Sequence, residues 1–277
     1  MAWHCHGSDT FDSNNSQLLF GAEVTHIARL SLACLLALLA ATTAHAAPYE
    51  LTVYSDDISA PGETEFESVF SIARPASRTG LDGPVEQALG EINYGIAKGF
   101  EIGLELPASY SEHRLREDGL AIEIEYLAPH DKVDGWFVGI RGDLGRVRSA
   151  YDDDAAAATD LDLDPIIGYR GRGYRMVFNP SLETSLSVGN TTARFQPSAK
   201  LAIQIAAHDE LGTEYFGDWG PVRELLPNSR RDEAVYLVWD KKTSSGRLNI
   251  GLGRGLHPSN GSADKWVAKI GFQFDAD

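Results

Sequence analysis

The stretch FEIGLEL at positions 100–106 alternates strictly, with Phe, Ile or Leu at every second position and Glu or Gly between them. A period of two places successive side chains on opposite faces of a β-strand. One face of this strand is therefore apolar and the other is acidic. The same alternation recurs in LAIEIEY at 120–126, in LNIGLG at 248–253 and in WVAKIGFQF at 266–274.

Weaker alternation extends this pattern over most of the chain. Together with the four clear cases it gives twelve candidate strands, most of them about ten residues or longer, where soluble strands average five or six. A tilted strand that crosses a membrane needs about nine to eleven residues, so the lengths favour membrane strands. The weaker segments lie at 63–74, 88–98, 134–147, 159–171, 173–185, 196–207, 210–220 and 232–242.

The connections between these segments are alternately long and short. Bacterial outer-membrane barrels have short periplasmic turns and longer outer loops, and this alternation places both ends of the barrel on the periplasmic side. Residues 48–57 also look strand-like, but a further strand would invert the loop pattern, so we predict that residues 47–62 form a periplasmic lead-in. Long connections fall near 75–87, 110–117, 148–158, 186–195, 221–231 and 256–263, and short ones at 98–99, 131–133, 172, 208–209 and 243–245.

The two faces of the strands predict how the sheet is arranged. Lipid cannot hydrogen-bond an open sheet edge, so a membrane-spanning sheet must close, with its apolar face outward and its charged face in the lumen. We therefore predict an all-β, antiparallel, up-and-down transmembrane β-barrel of about twelve strands over residues 63–277. The alternative is a soluble barrel or sandwich with the apolar face inward. The candidate lumen residues are Glu65, Glu67, Glu101, Glu105, Glu123, Glu125, Arg141, Arg175, Lys200 and Lys269.

The N-terminal region has the layout of a secretory signal peptide. An apolar run at 30–41 follows the basic Arg29 and ends in small residues, with Ala46 at the predicted cut before Ala47. The run is too short to cross a bilayer as a helix; a buried core helix is the alternative. Residues 1–46 are thus predicted to be an N-terminal extension and cleaved signal, with Val24 as an alternative start. The expected location is the bacterial outer membrane.

Composition excludes several classes of function. The formal net charge of -16 disfavours a nucleic-acid partner, because phosphate binding needs clustered Lys and Arg. Both cysteines, Cys5 and Cys34, precede the predicted cut. The remaining chain would then have no disulfide framework and no Cys-ligated metal.

Three short stretches resemble a known family. EINYGIAKGFEIGLELP at 91–107 is similar to a hairpin of transporter-like outer-membrane barrels, some labelled meta-pathway phenol-degradation proteins, and LGTEYFG at 211–217 and NIGLG at 249–253 resemble late strands of that family. The resemblance implies a secreted outer-membrane protein and a channel for small, even hydrophobic, molecules. Such barrels often end in an aromatic residue, whereas Phe274 is followed here by three more residues.

Aspartates in and after the third long connection are weak metal candidates. Several converging oxygen ligands can bind Ca²⁺ or Mg²⁺, but the Gly and distal Glu of a helix-loop-helix calcium site are missing. The alternative is a solvated loop that runs into the lumen face. These candidates are Asp152, Asp153, Asp154, Asp160, Asp162 and Asp164.

Catalytic signals are weak. After the predicted cut the histidines are His113, His130, His208 and His257, and no Gly-x-Ser-x-Gly elbow is present. The GLGRG run at 251–255 lies on a strand with no helix pattern after it, so it does not predict a nucleotide loop. We predict no enzyme activity and no cofactor.

The lumen charges leave two functional hypotheses open. Acidic residues on early strands facing basic ones on later strands could orient a polar solute, which favours a passive pore or transporter-like channel for small molecules. Alternatively the charges pair across a narrow lumen and plug it, which gives a structural or binding barrel. A membrane enzyme and a soluble periplasmic β protein are lesser alternatives. Expected partners are outer-membrane lipid, the barrel-assembly machinery and a small-molecule solute.

Overall fold

With one exception, consecutive strands of the described chain pair with each other as antiparallel hairpins. The computed structural model describes residues 51–75, 83–130, 134–150, 157–186, 192–257 and 264–276, so the predicted signal peptide and Asp152, Asp153 and Asp154 lie outside it. The strands are β1 Thr64–Pro75, β2 Val85–Ala97, β3 Phe100–Ser111, β4 Arg114–Glu117, β5 Gly119–Leu127, β6 Gly135–Val147, β7 Ala158–Gly171, β8 Tyr174–Ser185, β9 Arg194–Ala206, β10 Asp209–Asp218, β11 Asp232–Thr243, β12 Gly246–Gly255 and β13 Asp264–Ala276.

Pairing between the first and last strands closes the sheet. β1 pairs with β13 from Thr64 opposite Ala276 to Arg74 opposite Trp266, and on its other side with β2. β5 pairs with the first half of β3 and β4 pairs with its last four residues. β4 and β5 therefore occupy a single strand position in the wall. The result is a closed antiparallel barrel of twelve strand positions, which confirms the predicted fold class. A 3₁₀ helix covers Asn228–Arg230, and no helix of the described chain is long and apolar enough to cross a membrane.

The predicted loop at 110–117 is wrong. β3 continues to Ser111, and a tight turn at Glu112 and His113, both with positive φ, leads into β4. The register then slips by one residue at Gly119, where an added Cβ would lie 2.0 Å from the Arg146 carbonyl oxygen. Sequence analysis missed β4 because its side chains are mostly charged, while backbone pairing needs no apolar side chain.

The barrel is polar inside and apolar outside. Glu101 and Glu123 are 5% and 3% exposed, whereas their neighbours Ile102 and Ile122 are 38% and 51% exposed. This polarity is that of a membrane barrel, and it is opposite to the soluble alternative, in which the apolar face would form the core.

The described residues 51–59, which precede β1, lie inside the barrel. Leu51 and Val53 are buried in an apolar cluster with inward residues of the wall, among them Val69 and Phe216. Sequence analysis placed 47–62 as a lead-in on the periplasmic side; the structure puts its described residues 51–59 against the lumen wall. The alternation of this segment predicted a strand-like stretch, whereas the structure assigns no strand to residues 51–59. Alternation also does not reveal which surface such a segment packs on.

Candidate functional site: the occluded lumen

The ten residues predicted to line the lumen all lie on the inner side of the wall. Eight of them line one cavity together with the N-terminal segment: Glu65, Glu67, Glu101, Glu123, Glu125, Arg175, Lys200 and Lys269. The other two, Glu105 and Arg141, contact each other beside it. Strand alternation explains this placement, because inward positions repeat every second residue and neighbouring strands pair in register.

Arg141 is at the centre of an acidic network on β3 to β7. Its guanidinium contacts four carboxylates from four strands, and its side chain is 1% exposed. Nε donates to Glu123 at 2.6 Å, and Nη1 donates to Asp143 at 3.1 Å and to Asp164 at 3.3 Å; Nη2 donates to Glu105. A buried cation needs such partners, but one cation among four carboxylates leaves an excess of negative charge on this side of the lumen.

A second network lies on the opposite wall and uses lysines. Lys200 contacts Glu214 at 2.7 Å and Asp240 at 2.8 Å, and Lys269 contacts Glu214 at 2.6 Å. All four side chains are nearly buried. Sequence analysis did not select Glu214 or Asp240, although both occupy the polar positions of alternating strands, which was the available signal.

Residues 51–59, which we call the lumen segment, are held by backbone and ring contacts in the middle of the barrel. The Arg141 guanidinium lies 4.1 Å from the centre of the Tyr54 ring, and Asn179 Nδ2 donates to the Tyr54 carbonyl at 3.1 Å. Lys269 donates to the Leu51 carbonyl. Near the exit toward β1, the Ser59 amide donates to Glu101 Oε2 at 2.7 Å. The two charged networks of the wall thus also position the segment.

Two adjacent aspartates attach the lumen segment to arginines at the end of the barrel that carries the short turns, which we call the short-turn end. Asp56 accepts two hydrogen bonds from Arg170, at 2.9 and 2.5 Å. Asp57 accepts one from Arg175 Nη1 at 3.3 Å and one from Arg247. Paired hydrogen bonds between guanidinium and carboxylate are among the stronger polar contacts in proteins.

The charge state of Asp57 follows from these contacts. Burial by itself would raise the pKa of the Asp57 carboxyl, but Arg247 and Arg175 outweigh this effect and hold the pKa well below its ordinary value of 3.8. Asp57 is therefore ionised at neutral pH and remains available to both arginines.

The lumen segment leaves little free space in the barrel. The cavity between it and the acidic wall has a volume of about 110 Å³, enough for several water molecules. A larger cavity of about 480 Å³ opens at the short-turn end, beside Asp56 and Asp57 and the arginines that bind them. The described lumen is thus narrow in its middle and wider at one mouth.

The other predicted metal candidates that the structure describes do not form a metal site. Asp160, Asp162 and Asp164 lie along the lumen side of β7, and Asp164 is bound by Arg141. Within the described ranges, no group of three or more His, Cys, Asp or Glu is placed to hold a metal ion. His113 lies in the β3–β4 turn, and His208 lines the cavity at the short-turn end.

The other two histidines have acidic neighbours. His130 lies 3.7 Å from Asp56 of the lumen segment. On the outer wall, His257 contacts Glu233 at 2.5 Å, and Glu233 also accepts a 2.6 Å hydrogen bond from Tyr215. Neither Glu233 nor this cluster was predicted from the sequence, because its members come from β10, β11 and the connection after β12 and share no motif.

The fold and the lumen define a closed barrel of the outer-membrane type whose interior is charged and occluded. Among solved structures it is similar to the COG4313 outer membrane channel from Pseudomonas putida F1, at 12% identity over 81% of this chain and 100% of that chain, with a TM-score of 0.55. The predicted resemblance to transporter-like outer-membrane barrels is thereby confirmed at the level of the fold.

Two further solved structures match with lower scores. The transport unit of the autotransporter AIDA-I from Escherichia coli matches at 9% identity over 81% of this chain and 93% of that chain, with a TM-score of 0.44. OmpT of Vibrio cholerae matches at 10% identity over 81% and 100%, with a TM-score of 0.40. Scores below 0.5 do not identify a shared strand arrangement. No family model matches the sequence, and no curated protein matches it.

Proposed function

We propose that this chain is an outer-membrane channel for small molecules and that its lumen is closed by residues 51–59. The observation that carries the proposal is the placement of this segment. It is not hydrogen-bonded into the wall as a strand, yet it fills a charged lumen and is attached by side-chain contacts at Tyr54, Asp56 and Asp57. A segment held in this way can leave without breaking the barrel.

The charge of the wall supports passage of ions and polar solutes once the segment moves. Glu67, Glu91 and Glu125 line the central cavity in addition to the carboxylates around Arg141. Rings of acidic side chains favour cations in channels. We therefore expect the open lumen to prefer cations and neutral solutes over anions.

A barrel with a permanently closed lumen is the second candidate. The observation in its favour is that Arg141, Lys200 and Lys269 are each paired with buried carboxylates across strands. In that case the outer loops, rather than the lumen, would carry the function.

We further propose how the chain reaches the outer membrane. Residues 1–46 are removed by cleavage between Ala46 and Ala47, and the barrel-assembly machinery then inserts the chain. Outer-membrane lipid covers the apolar wall. We propose no catalytic role for the histidines and no nucleic-acid partner. N-terminal sequencing of the protein purified from outer membranes tests the cleavage; a first residue other than Ala47 contradicts it.

Conductance of single proteins in planar bilayers tests the channel directly. The chain 47–277 is compared with D56N/D57N, which keeps side-chain size but removes the charges that bind Arg170, Arg175 and Arg247. We expect rare or small steps for the parent chain and larger, longer-lived steps for the variant. Heat-modifiable gel mobility is the control for folding, and a folded variant without conductance would favour the permanently closed barrel.

A further inference from the structure

We infer that the arginine-lined mouth at the short-turn end is a binding site for a dicarboxylate, and that Asp56 and Asp57 occupy it as a tethered internal substitute. The inference deepens the proposed function and rests on it, because a ligand that takes the place of the two aspartates would release the lumen segment. The site is formed by Arg170 of β7, Arg175 of β8 and Arg247 of β12.

The two carboxylates and the three arginines belong to different parts of the chain. Arg170, Arg175 and Arg247 belong to the wall, and each reaches a carboxylate of the lumen segment. Asp56 and Asp57, in contrast, belong to a segment outside the sheet. The arginines therefore remain in place when the segment moves, while their anions leave with it.

The cavity that adjoins the arginines loses its charge balance when the lumen segment leaves. With the segment in place its lining carries five cationic and five anionic side chains. Removing Asp56 and Asp57 leaves five cations against three anions, an excess of two positive charges. A dianion restores this balance, whereas a monoanion restores half of it.

Within the described chain, Arg175 has a buried hydrogen-bond donor without an acceptor. Arg175 is 3% exposed, and within the described chain its Nε is buried without a hydrogen-bond partner. Its terminal nitrogens are used by Asp57, Ser55 and Glu210. A buried donor without an acceptor is costly, and a carboxylate that approaches from the 480 Å³ cavity can supply that acceptor.

The position of the site indicates what such a ligand does. The cavity is bordered by the turns at Arg172–Gly173 and Ala207–His208, so it opens at the short-turn end. The adjoining central cavity is lined by Glu101, Glu125 and further acidic side chains that outnumber its basic ones, so it disfavours a dianion. The dicarboxylate therefore binds at the mouth and controls opening, while the lumen conducts other solutes.

Isothermal titration calorimetry with succinate tests the inference on the folded full chain in detergent. D56N/D57N vacates the arginines, and we expect it to bind succinate at least about tenfold more tightly than the parent chain, because the internal competitor is removed. Replacing Arg175 and Arg247 by Gln in the D56N/D57N chain should abolish the binding. Acetate at matched ionic strength should bind much more weakly than succinate.

D209N is the matched control. Asp209 lines the same cavity but pairs with Lys241, at 3.2 Å, outside the arginine group. It should leave the succinate affinity within about twofold of the parent, since a distant charge in a solvated mouth contributes little. Equal affinities of the parent chain and D56N/D57N, or equal tightening by D209N, would overturn the inference. Sulfate binding more tightly than succinate would overturn the assignment to dicarboxylates. Because calorimetry requires no conduction, a silent bilayer with normal succinate binding refutes only the channel.

Discussion

The lumen contains two charged regions that differ in where their anions come from. Around Arg141 the four carboxylates are part of the wall, on β3, β5, β6 and β7. Around Arg175 and Arg247, in contrast, the anions include Asp57 of the lumen segment, which is outside the sheet. The first region also contacts the Tyr54 ring of the lumen segment, but its carboxylates stay in the wall when that segment moves, whereas Asp57 leaves the second region together with the segment.

The largest expected effect is on the region built from the wall alone. Arg141→Met leaves Glu105, Glu123, Asp143 and Asp164 without their shared cation. Removing one partner of a buried ion pair typically costs about 3–5 kcal/mol, so we expect the urea concentration at half-unfolding to fall markedly, measured by heat-modifiable mobility. Arg175→Met is the comparison, and it should cost less because the lumen segment can leave and admit water. Equal losses for the two variants would contradict the distinction between the regions.

The second prediction concerns pH and the attachment of the lumen segment. Since the pKa of Asp57 is lowered in the folded protein, its attachment is fully present above the ordinary value of 3.8 and is lost as pH falls through the lowered value. We expect channel steps to stay rare at about pH 5 and to become frequent only when the pH falls below the ordinary carboxyl range. The charged groups facing Asp57 are Arg175, Arg247, Arg170 and Glu125.

D57N supplies the control for this pH dependence. It removes the titrating group and keeps Asp56 paired with Arg170. The variant should show frequent steps already at neutral pH and a much flatter pH response. Opening of the parent chain near pH 6 would contradict the prediction, because Asp57 is still ionised there.

The sequence predicted which side chains of the wall face the lumen, but it did not predict the lumen segment or its contacts. Alternation placed Glu101, Arg141 and Lys269 on the inner face, because inward positions follow from period two alone. It also predicted a strand-like segment at Leu51 and Val53, but as a periplasmic lead-in, whereas the structure places these residues in the lumen. Contacts such as Asp56 with Arg170 join residues 114 positions apart, and no local pattern encodes such a pairing. The hairpin at β4 was missed for a related reason, since charged residues can also pair along the backbone.

A third prediction addresses the acidic wall itself. Replacing Glu101 and Glu105 by Gln in the D56N/D57N chain should shift the reversal potential toward that of a non-selective pore, because the wall loses two negative charges on the side of Arg141. The shift should be modest, since Glu123, Glu125 and Glu67 remain on the same cavity. The measurement is the reversal potential in a KCl gradient. An unchanged value would mean that these two carboxylates do not border the open path.

The smallest predicted effect concerns the place where the lumen segment leaves the barrel to begin β1. Gly95 of β2 lies under this exit, and an added Cβ would be 2.2 Å from the Ala60 carbonyl oxygen. The Gly95 carbonyl also accepts a 2.8 Å hydrogen bond from the Gly62 amide. Gly95→Ala must therefore displace the exit and strain the attachment at Ser59, while the charged contacts at Asp56 and Asp57 remain.

We expect Gly95→Ala to raise the fraction of time spent open by about two- to threefold, a change worth roughly 0.5 kcal/mol. Gly90→Ala is the matched control on the same strand, because nothing lies within 4 Å of the Cβ it adds. If both variants open the channel equally, the effect comes from the strand and not from the exit. If Gly95→Ala opens the channel as fully as D56N/D57N does, the exit rather than the arginine group holds the segment in place.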